Sequence, residues 1–262
     1  MARDTVGHTI LVAGVLCVVC SVIVSGLAVG LRAQQVENRL AEKQKNILLA
    51  AGTYDESKPV ADQFGNIESK LVDLETGTFV EDGSIDTATY DQRKAAADPA
   101  LSIEIAGDDD LAGIKRREKY AFIYVVKDDA GNIDQFVLPI YGKGLWSTLY
   151  GFIAVDDDIQ TVNGLTFYEH KETPGLGGEV DNPKWKALWP GKQLFNDSGT
   201  LAIEVIKGQV TANTSNAQHK VDGLTGATIT ARGVGNTLQY WLGDNGFGPF
   251  LENFRTGALQ NG

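Results

Sequence analysis

The sequence predicts an α+β protein in which a single N-terminal transmembrane helix precedes a domain with a mostly antiparallel sheet. Three observations support this class: a long uncharged apolar segment near the N-terminus, five strand-like segments between residues 120 and 207, and an amphipathic helix that comes only after them. Short turn-rich connections join antiparallel neighbours, whereas a doubly wound parallel sheet needs a helix between successive strands.

The apolar segment covers residues 9–31 and contains no charged residue. At about 1.5 Å per residue, a helix of this length crosses a hydrocarbon core of about 30 Å. Residues 28–30 have the small-x-small pattern of a signal-peptide cleavage site, but the segment exceeds the roughly 7–15 apolar residues of such signals, and Arg3 and Asp4 cancel. We therefore expect a retained anchor, followed by a polar juxtamembrane helix that ends near Gly52.

The charges beside the anchor bear on which side of the membrane the domain lies. Only Arg3 precedes the apolar segment, whereas four basic residues follow it closely: Arg32, Arg39, Lys43 and Lys45. The positive-inside rule would keep the domain in the cytoplasm, although long domains cross membranes largely regardless of charge. Charge alone therefore leaves both orientations open.

Net charge, histidines and cysteines restrict the classes of function. About 210 residues follow the anchor, enough for one well-buried domain, and the formal net charge of −11 argues against binding of nucleic acid. His8, His170 and His219 lack metal-ligand spacing, so no metal site is expected. Cys17 and Cys20 lie within the apolar segment and are expected to be small apolar side chains. A cluster ligand shared with a partner subunit is the alternative.

The domain itself divides into two stretches of different composition. Residues 53–113 are rich in Asp, Gly, Thr and Ala with few apolar runs, which predicts irregular structure with short helices. Apolar and β-branched residues then dominate five segments that we predict to be strands: 120–126, 135–141, 149–155, 161–168 and 201–207. A turn-rich stretch at residues 127–132 joins the first two and is typical of an antiparallel pair.

A turn of small residues precedes the amphipathic helix. Residues 222–228 read Asp-Gly-Leu-Thr-Gly-Ala-Thr, and apolar residues then recur at helical spacing, at Val234, Leu238, Trp241 and Leu242. We expect Thr228 and Thr230 to lie in the loop or cap before the first helical turn. The free N–H groups of a helix start favour an anion, and Gly226 with Ala227 leaves room for a phosphate. An ordinary helix start capped by threonine is the alternative.

Two further loops carry glycines next to apolar residues. Residues 142–146 read Gly-Lys-Gly-Leu-Trp directly after a predicted strand, but they lack the third glycine of a dinucleotide-binding fingerprint, and no crossover helix follows. Residues 172–177 read Glu-Thr-Pro-Gly-Leu-Gly, in which the proline restricts the backbone and the glycines permit positive φ angles. This second loop can present backbone amides and the Leu176 side chain to a flat ring.

Residues 222–228, which we call the acceptor loop, resemble the flavinylation motif of the covalent FMN-binding domain family. That motif reads Asp, two variable residues, Ser or Thr, Gly, Ala and Thr, and all fixed positions match. The resemblance implies that Thr228 is not a catalytic residue but the attachment point of FMN. The phosphoester bond would be formed from FAD by a separate flavin transferase. The resemblance also implies that the transferase recognises Asp222, although an Asp before a Gly is equally a turn former.

The resemblance extends to the two glycine-containing loops, which in the family lie at the flavin. It implies an apolar surface from Trp146 beside the ring, for which simple core packing is the alternative. Lys207 is our candidate for a cation near the FMN phosphate, over Lys220 and Arg232, and a solvated lysine is the alternative. The full set of expected FMN-binding residues is Gly144, Leu145, Trp146, Glu172, Thr173, Gly175, Leu176, Lys207, Asp222, Thr225, Gly226, Ala227 and Thr230.

The order of these features along nearly the whole chain is similar to that in electron-transfer subunits of sodium-translocating NADH:quinone reductases. The motif is shared with electron-transfer subunits of the related Rnf-type ferredoxin:NAD oxidoreductase complexes. The long segment before Tyr120 and the Val-Gly-Leu-Arg end of the anchor favour the first group. The resemblance implies a redox carrier that works with other subunits of a membrane complex. A stand-alone flavoprotein enzyme and a membrane-tethered structural protein without flavin are the alternatives.

The resemblance also implies a location and a division of the chain. It points to a single-pass protein of the bacterial inner membrane, in contact with lipid, whose C-terminal domain lies in the periplasm. The expected divisions are an anchor region at residues 1–52, a soluble domain at residues 53–262, and an FMN-binding core at about residues 120–245.

Overall fold

The structure, a computed structural model, describes residues 5–81, 83, 85–87 and 89–259. The chain divides into two compact units, Met1–Lys43 and Gln44–Gly262. The first unit contains helix α1 (Val6–Gly30) and the greater part of helix α2 (Arg32–Ala50). By length and composition, α1 can cross a membrane, which agrees with the predicted anchor.

The second unit begins at the end of α2, where Gly52 has a left-handed φ of +70°. Its helices are α3 (Val60–Gln63), α4 (Gln92–Ala97), α5 (Pro183–Lys186), α6 (Thr228–Trp241) and α7 (Gly248–Arg255), with 3₁₀ turns at Phe64–Asn66, Gly177–Asp181 and Ala217–His219. Its strands are β1 (Ile67–Asp73), β2 (Thr78–Phe79), β3 (Ser102–Glu104), β4 (Arg116–Glu118), β5 (Tyr120–Lys127), β6 (Ile133–Lys143), β7 (Thr148–Asp156), β8 (Val162–Glu169), β9 (Glu204–Val205) and β10 (Lys220–Val221).

The main sheet has six strands in the order β2-β1-β5-β6-β7-β8, and every neighbouring pair is antiparallel. Strands β5 to β8 follow one another along the chain and across the sheet because short connections join them. The longest pairing joins β6 to β7, from Gln135↔Asp156 to Lys143↔Thr148, and the turn at residues 144–147 closes it. The predicted α+β class with a mostly antiparallel sheet is confirmed.

Two predictions about strands are wrong. Segment 201–207 forms only the two-residue β9, which pairs in parallel with β10 outside the main sheet. Ile203, which is buried in this segment, donates its backbone N–H to the carbonyl oxygen of Leu194 and lies outside β9. The apolar character of the segment therefore reflects core packing and not a strand. The stretch 53–113, predicted to be irregular, supplies β1, which pairs with β5 along its whole length. The first half of β1 is mostly polar and exposed, so its sequence lacks the apolar run typical of a strand.

Apolar side chains are buried on both faces of the main sheet. Helices α6 and α7 cover one face, where the fully buried Trp241 donates from Nε1 to the carbonyl oxygen of Tyr141 at 2.7 Å. The end of α2 covers the other face, where Ile47 and Ala50 pack with Phe152. Helix α6 therefore lies directly on β6, the strand that leads into the turn at residues 144–147.

The close approach of α6 to β6 depends on two glycines. A Cβ atom on Gly142 would lie 2.0 Å from Oγ1 of Thr237, and one on Gly233 would lie 2.3 Å from the carbonyl oxygen of Lys143. Both distances are far below van der Waals contact, so only glycine permits this spacing. The helix start and the 144–147 turn are thereby brought to the same end of the sheet.

Candidate functional site

Helix α6 begins at Thr228, inside the acceptor loop. Ala227 is its N-cap and makes no side-chain capping hydrogen bond, so the start is not the threonine-capped one considered as an alternative. Thr228 is exposed at the first helical position, whereas Thr230 is fully buried in the first turn. The prediction that both threonines precede the helix is therefore wrong, because Ala227 already closes a turn onto the carbonyl oxygen of Leu224. The first-turn N–H groups favour an anion at this position.

The acceptor loop is held in place through Asp222. Its Oδ1 accepts the N–H of Val210 at 2.8 Å, and its carbonyl oxygen accepts the Nε1–H of Trp185 at 2.8 Å. The next residue, Gly223, donates its N–H to the carbonyl oxygen of Gly208 at 2.8 Å. Asp222 thus has a structural role in forming the loop, and its recognition by a transferase stays a prediction.

Gly226 brings the acceptor loop against the 172–177 loop. It has a φ of +74°, and a Cβ atom on it would lie 2.9 Å from Cδ2 of Leu176. The backbone angle strains any larger residue at this position, whereas the exposed Leu176 side chain could move aside. Gly175 also has a left-handed φ, of +76°, as expected for this loop.

Glu172 is the central side chain of the site. It is only 5% exposed, and its carboxylate accepts four hydrogen bonds, from Leu145 N (3.2 Å), Trp146 N (2.9 Å), Ser147 N (3.1 Å) and Thr230 Oγ1 (2.7 Å). Burial acts to raise the pKa of Glu172, but the hydrogen bonds outweigh this effect and lower the pKa below its ordinary value. The carboxylate is therefore ionised at neutral pH.

Four large apolar side chains are exposed around this hydrogen-bonded centre. They are Leu145 (42% exposed), Trp146 (67%), Leu176 (44%) and Ile229 (55%). Because Trp146 is this exposed, it is not a core residue, which was the alternative considered for it. The hydrogen bonds of Glu172 and the Gly226 contact bring together the segments that carry these four side chains, which we call the apolar surface.

The remaining predicted residues lie in the same three loops. Thr173 is exposed, and its carbonyl oxygen accepts the N–H groups of Leu176 and Gly178. Gly144 is buried against the Glu172 carboxylate: a Cβ atom at this position would lie 2.7 Å from Oε1 of Glu172. Thr225 is exposed at the tip of the acceptor loop.

The three candidate cations differ in their surroundings. Lys207 is exposed, and its two neighbours, Ile206 and Gly208, form backbone hydrogen bonds to the chain at residues 221–223. Lys220 instead pairs with Glu204 at 3.3 Å. Arg232 is exposed one turn into α6. The backbone next to Lys207 therefore bonds the start of the acceptor loop, and the role of Lys207 at the FMN phosphate stays a prediction.

Sequence reasoning missed three residues of this site. Ser147 donates its N–H to Glu172 and accepts the N–H of Lys171 on Oγ at 2.8 Å. His170 accepts the N–H of Glu172 on Nδ1 and pairs through Nε2 with Asp181 at 2.7 Å. Ile229 is exposed beside Thr228. Of the three, only Ile229 carried a sequence signal, because it lies off the apolar face of α6.

The chemistry of the site fits a flat aromatic cofactor with a phosphate group. The start of α6 offers an exposed hydroxyl and amides that favour an anion, and the apolar side chains beside it match a ring system. The apolar side chains that would face the ring are exposed, and two cavities of about 530 and 480 Å³ lie away from the three loops. The fold and site thus define an α+β domain whose exposed helix start and exposed apolar side chains fit a cofactor of this kind.

Comparison with known proteins identifies the class of domain and then the family. A family model described as an FMN-binding domain matches residues 144–243, which contain the 144–147 turn, the 172–177 loop and the acceptor loop. Two relatives, each described as the C subunit of a Na(+)-translocating NADH-quinone reductase, cover nearly the full chain. The relative from Yersinia pestis is 49% identical over 99% of this chain and 97% of its own length, and that from Pseudomonas aeruginosa is 51% identical over 97% and 98%. The chain belongs to this family, which we call the NqrC family.

Solved structures agree with this assignment. The crystal structure of Shewanella oneidensis NqrC matches with a TM-score of 0.74 and 38% identity, over 82% of this chain and 97% of that one. The crystal structure of the corresponding protein from Parabacteroides distasonis matches with a TM-score of 0.65 and 30% identity, over 84% and 96%. The predicted cofactor, FMN, is confirmed by the family model and the relatives, which also favour this family over the Rnf-type alternative.

Proposed function

We propose that this chain is the electron-transfer NqrC component of a sodium-translocating NADH:quinone reductase and carries FMN as a phosphoester of Thr228. The observation that carries the proposal is the place of the Thr228 hydroxyl. It is exposed at the start of α6, at the last position of a matching flavinylation motif, within the domain that the FMN-binding model covers. The near full-length similarity to NqrC proteins supports the assignment of the chain to this complex.

The attachment is a group transfer to which this chain contributes one oxygen atom. Oγ1 of Thr228 forms a bond to the phosphorus of the FMN half of FAD, the pyrophosphate bond of FAD breaks, AMP leaves, and the hydroxyl proton is released. A separate flavin transferase supplies the activation, which requires that it can reach the hydroxyl. The exposure of Thr228 and of Thr225 in the same loop meets that requirement.

The residues around Thr228 hold the parts of the cofactor. The first-turn amides of α6 and the exposed Lys207 stabilise the phosphate, whose negative charge an acidic protein would otherwise repel. Leu145, Trp146 and Leu176 provide the apolar surface for the ring. FMN, when bound, supplies the electron-transfer chemistry. The covalent link replaces the tight noncovalent affinity that an open surface does not provide.

Other subunits must supply the rest of the activity. Among the described residues, α1 is the one helix able to cross a membrane, and one helix cannot enclose an ion pathway, so sodium movement belongs to partners in the complex. As an electron carrier, the chain leaves NADH oxidation and quinone reduction to other subunits as well. An exposed cofactor suits this arrangement, because donor and acceptor groups of partner subunits can approach the ring from solvent. Membrane lipid surrounds α1.

The native chain tests the proposed function directly. Purified from a host with a working flavin transferase, it is expected to show the added mass of one FMN on the peptide containing Thr228. It is also expected to co-purify with a multi-subunit membrane complex. An unmodified mass would contradict the cofactor assignment, whereas a flavinylated chain that never associates with other membrane subunits would favour a stand-alone flavoprotein.

For the location, we propose a single pass through the bacterial inner membrane with the domain in the periplasm. The two cysteines of the chain lie in α1, so a Cys17→Ala, Cys20→Ala background with Ser215→Cys reports on the domain alone. Ser215 is exposed. A membrane-impermeant maleimide is expected to label this variant in intact spheroplasts. Labelling only after the inner membrane is permeabilised would instead place the domain in the cytoplasm, as the count of basic residues suggests.

A further inference from the structure

Glu172 has a chemistry that the proposed function leaves unused. Its carboxylate is buried in an acidic protein, and within the described ranges no Lys or Arg forms an ion pair with it. Three consecutive backbone amides and one hydroxyl surround it instead: Leu145 N and Thr230 Oγ1 donate to Oε2, and Trp146 N and Ser147 N donate to Oε1. Successive N–H groups that converge on one anion form a nest.

The four donors use the full acceptor capacity of the carboxylate. An ionised carboxylate has about four lone-pair sites, so none is left to accept a hydrogen bond from a ligand. The donors come from two segments that are distant in sequence, the 144–147 turn and the first turn of α6, and Glu172 itself belongs to a third. One side chain therefore joins all three segments that carry the apolar surface and Thr228.

The glycines of the site leave room for this side chain. A Cβ atom on Gly144 would lie 2.7 Å from Oε1 of Glu172, and one on Gly177 would lie 2.7 Å from Oε2. The carboxylate is thus enclosed by backbone on two sides, and His170 fixes the amide of Glu172 itself at 3.2 Å. Close packing on two sides leaves the carboxylate little room to move.

We propose that Glu172 is a positioning residue of the FMN site. By holding the 144–147 turn, the 172–177 loop and the start of α6 on one carboxylate, it sets Leu145, Trp146 and Leu176 around the ring of FMN esterified to Thr228. The inference rests on the proposed function, and it gives Glu172 an effect on the cofactor through other residues and not through a hydrogen bond of its own.

Graded variants separate the hydrogen bonds of Glu172. Glu172→Gln keeps the shape but turns one oxygen into an NH₂ group. At the Oε1 position this group would face the N–H donors of Trp146 and Ser147, and at the Oε2 position it would face that of Leu145. Glu172→Ala removes all four bonds. Thr230→Val removes only the hydroxyl bond, and Thr230→Ser restores the hydroxyl. The matched control is Glu169→Gln, which removes one charge from an exposed residue that pairs with Arg93 at 2.8 Å. Glu169 is not one of the four donors to the Glu172 carboxylate.

The experiment uses the full-length chain in detergent, co-expressed with a flavin transferase. The readouts are the anisotropy and visible circular dichroism of the bound FMN, and hydrogen exchange of the peptide with residues 144–147. Glu172→Ala is expected to retain FMN on Thr228, to lose most of the visible circular dichroism, and to exchange that peptide at least about tenfold faster. Glu172→Gln and Thr230→Val should be intermediate, and Thr230→Ser and Glu169→Gln should resemble wild type.

Two results for the folded Glu172→Ala variant would overturn the inference. Unchanged exchange in Glu172→Ala would mean that the carboxylate does not hold the turn. Faster hydrogen exchange of the 144–147 peptide, with the anisotropy and circular dichroism of FMN as in wild type, would mean that Glu172 holds the turn but does not affect the cofactor. If Glu172→Ala fails to fold, the Thr230→Val and Thr230→Ser pair decides the question by the same readouts. A wild-type chain without the mass of FMN is a failure of the proposed function, and it is recognised before any variant is compared.

Discussion

A Thr228→Ala variant is expected to lose all covalently bound FMN while it still folds and inserts into the membrane. The substitution removes the only atom of this chain that the phosphoester requires. It costs little stability, because Thr228 is exposed and alanine favours helix at the first position of α6. We expect a change in unfolding free energy within about 0.5 kcal/mol. Intact mass, in-gel flavin fluorescence and thermal unfolding of the full-length chain measure the three effects.

Thr228→Ser is the matched control for this experiment. Serine keeps a hydroxyl at the same position, so at least part of the chain should still carry FMN. The neighbouring Thr230 cannot take over as acceptor, because it is fully buried and its hydroxyl is bound to Glu172. FMN found on another residue of Thr228→Ala, or undiminished FMN, would move the attachment point elsewhere.

The second large effect is expected for Gly233→Ala, which should destabilise the domain by about 2 kcal/mol or more. The new Cβ atom would lie 2.3 Å from the carbonyl oxygen of Lys143 and 3.3 Å from Cα of Gly144. These are backbone atoms of β6 and the following turn, so they cannot move aside as a side chain would. Helix α6 must shift away from the sheet, and the shift separates Thr230 from Glu172. Urea unfolding measures the loss, and the anisotropy of bound FMN should fall with it.

Gly235→Ala, in the same helix, is the control and should have the opposite sign. A Cβ atom at this position meets nothing closer than the amide nitrogen of Val205 at 3.9 Å, an ordinary contact. The higher helix propensity of alanine should therefore stabilise the domain by about 0.5–1 kcal/mol. Equal effects of the two substitutions would mean that α6 does not approach β6 as closely as described.

The elements that could be predicted from sequence are those with strong local patterns. The apolar run of α1 and the apolar, β-branched segments of β5 to β8 each contain their own signal, since a membrane span or a buried strand requires consecutive apolar residues. The acceptor loop was also visible, because its resemblance lies in a contiguous motif. Strand β1 could not be predicted in this way. Its first half is mostly polar and exposed, and it is a strand because it pairs with β5.

The site shows the same division at the level of single residues. Thr228, Trp146 and Leu176 were predicted as members of motifs, and the structure exposes all three. The bonds of Glu172 to residues 26 and 58 positions away could not be predicted, since no local pattern encodes which donors reach a carboxylate. The helix start was misplaced for a related reason: a threonine is a common cap, but here the alanine before it closes the turn.

By itself, the sequence determined that this chain has one apolar helix, a mostly antiparallel domain and a flavinylation motif, because each is encoded by residues that are neighbours along the chain. Only the tertiary structure decided that Glu172 joins three segments, that Thr230 is buried two residues after an exposed Thr228, and that Gly233 lets α6 approach β6. These properties depend on contacts between residues far apart in sequence, and such contacts exist only once the sheet and α6 have packed together.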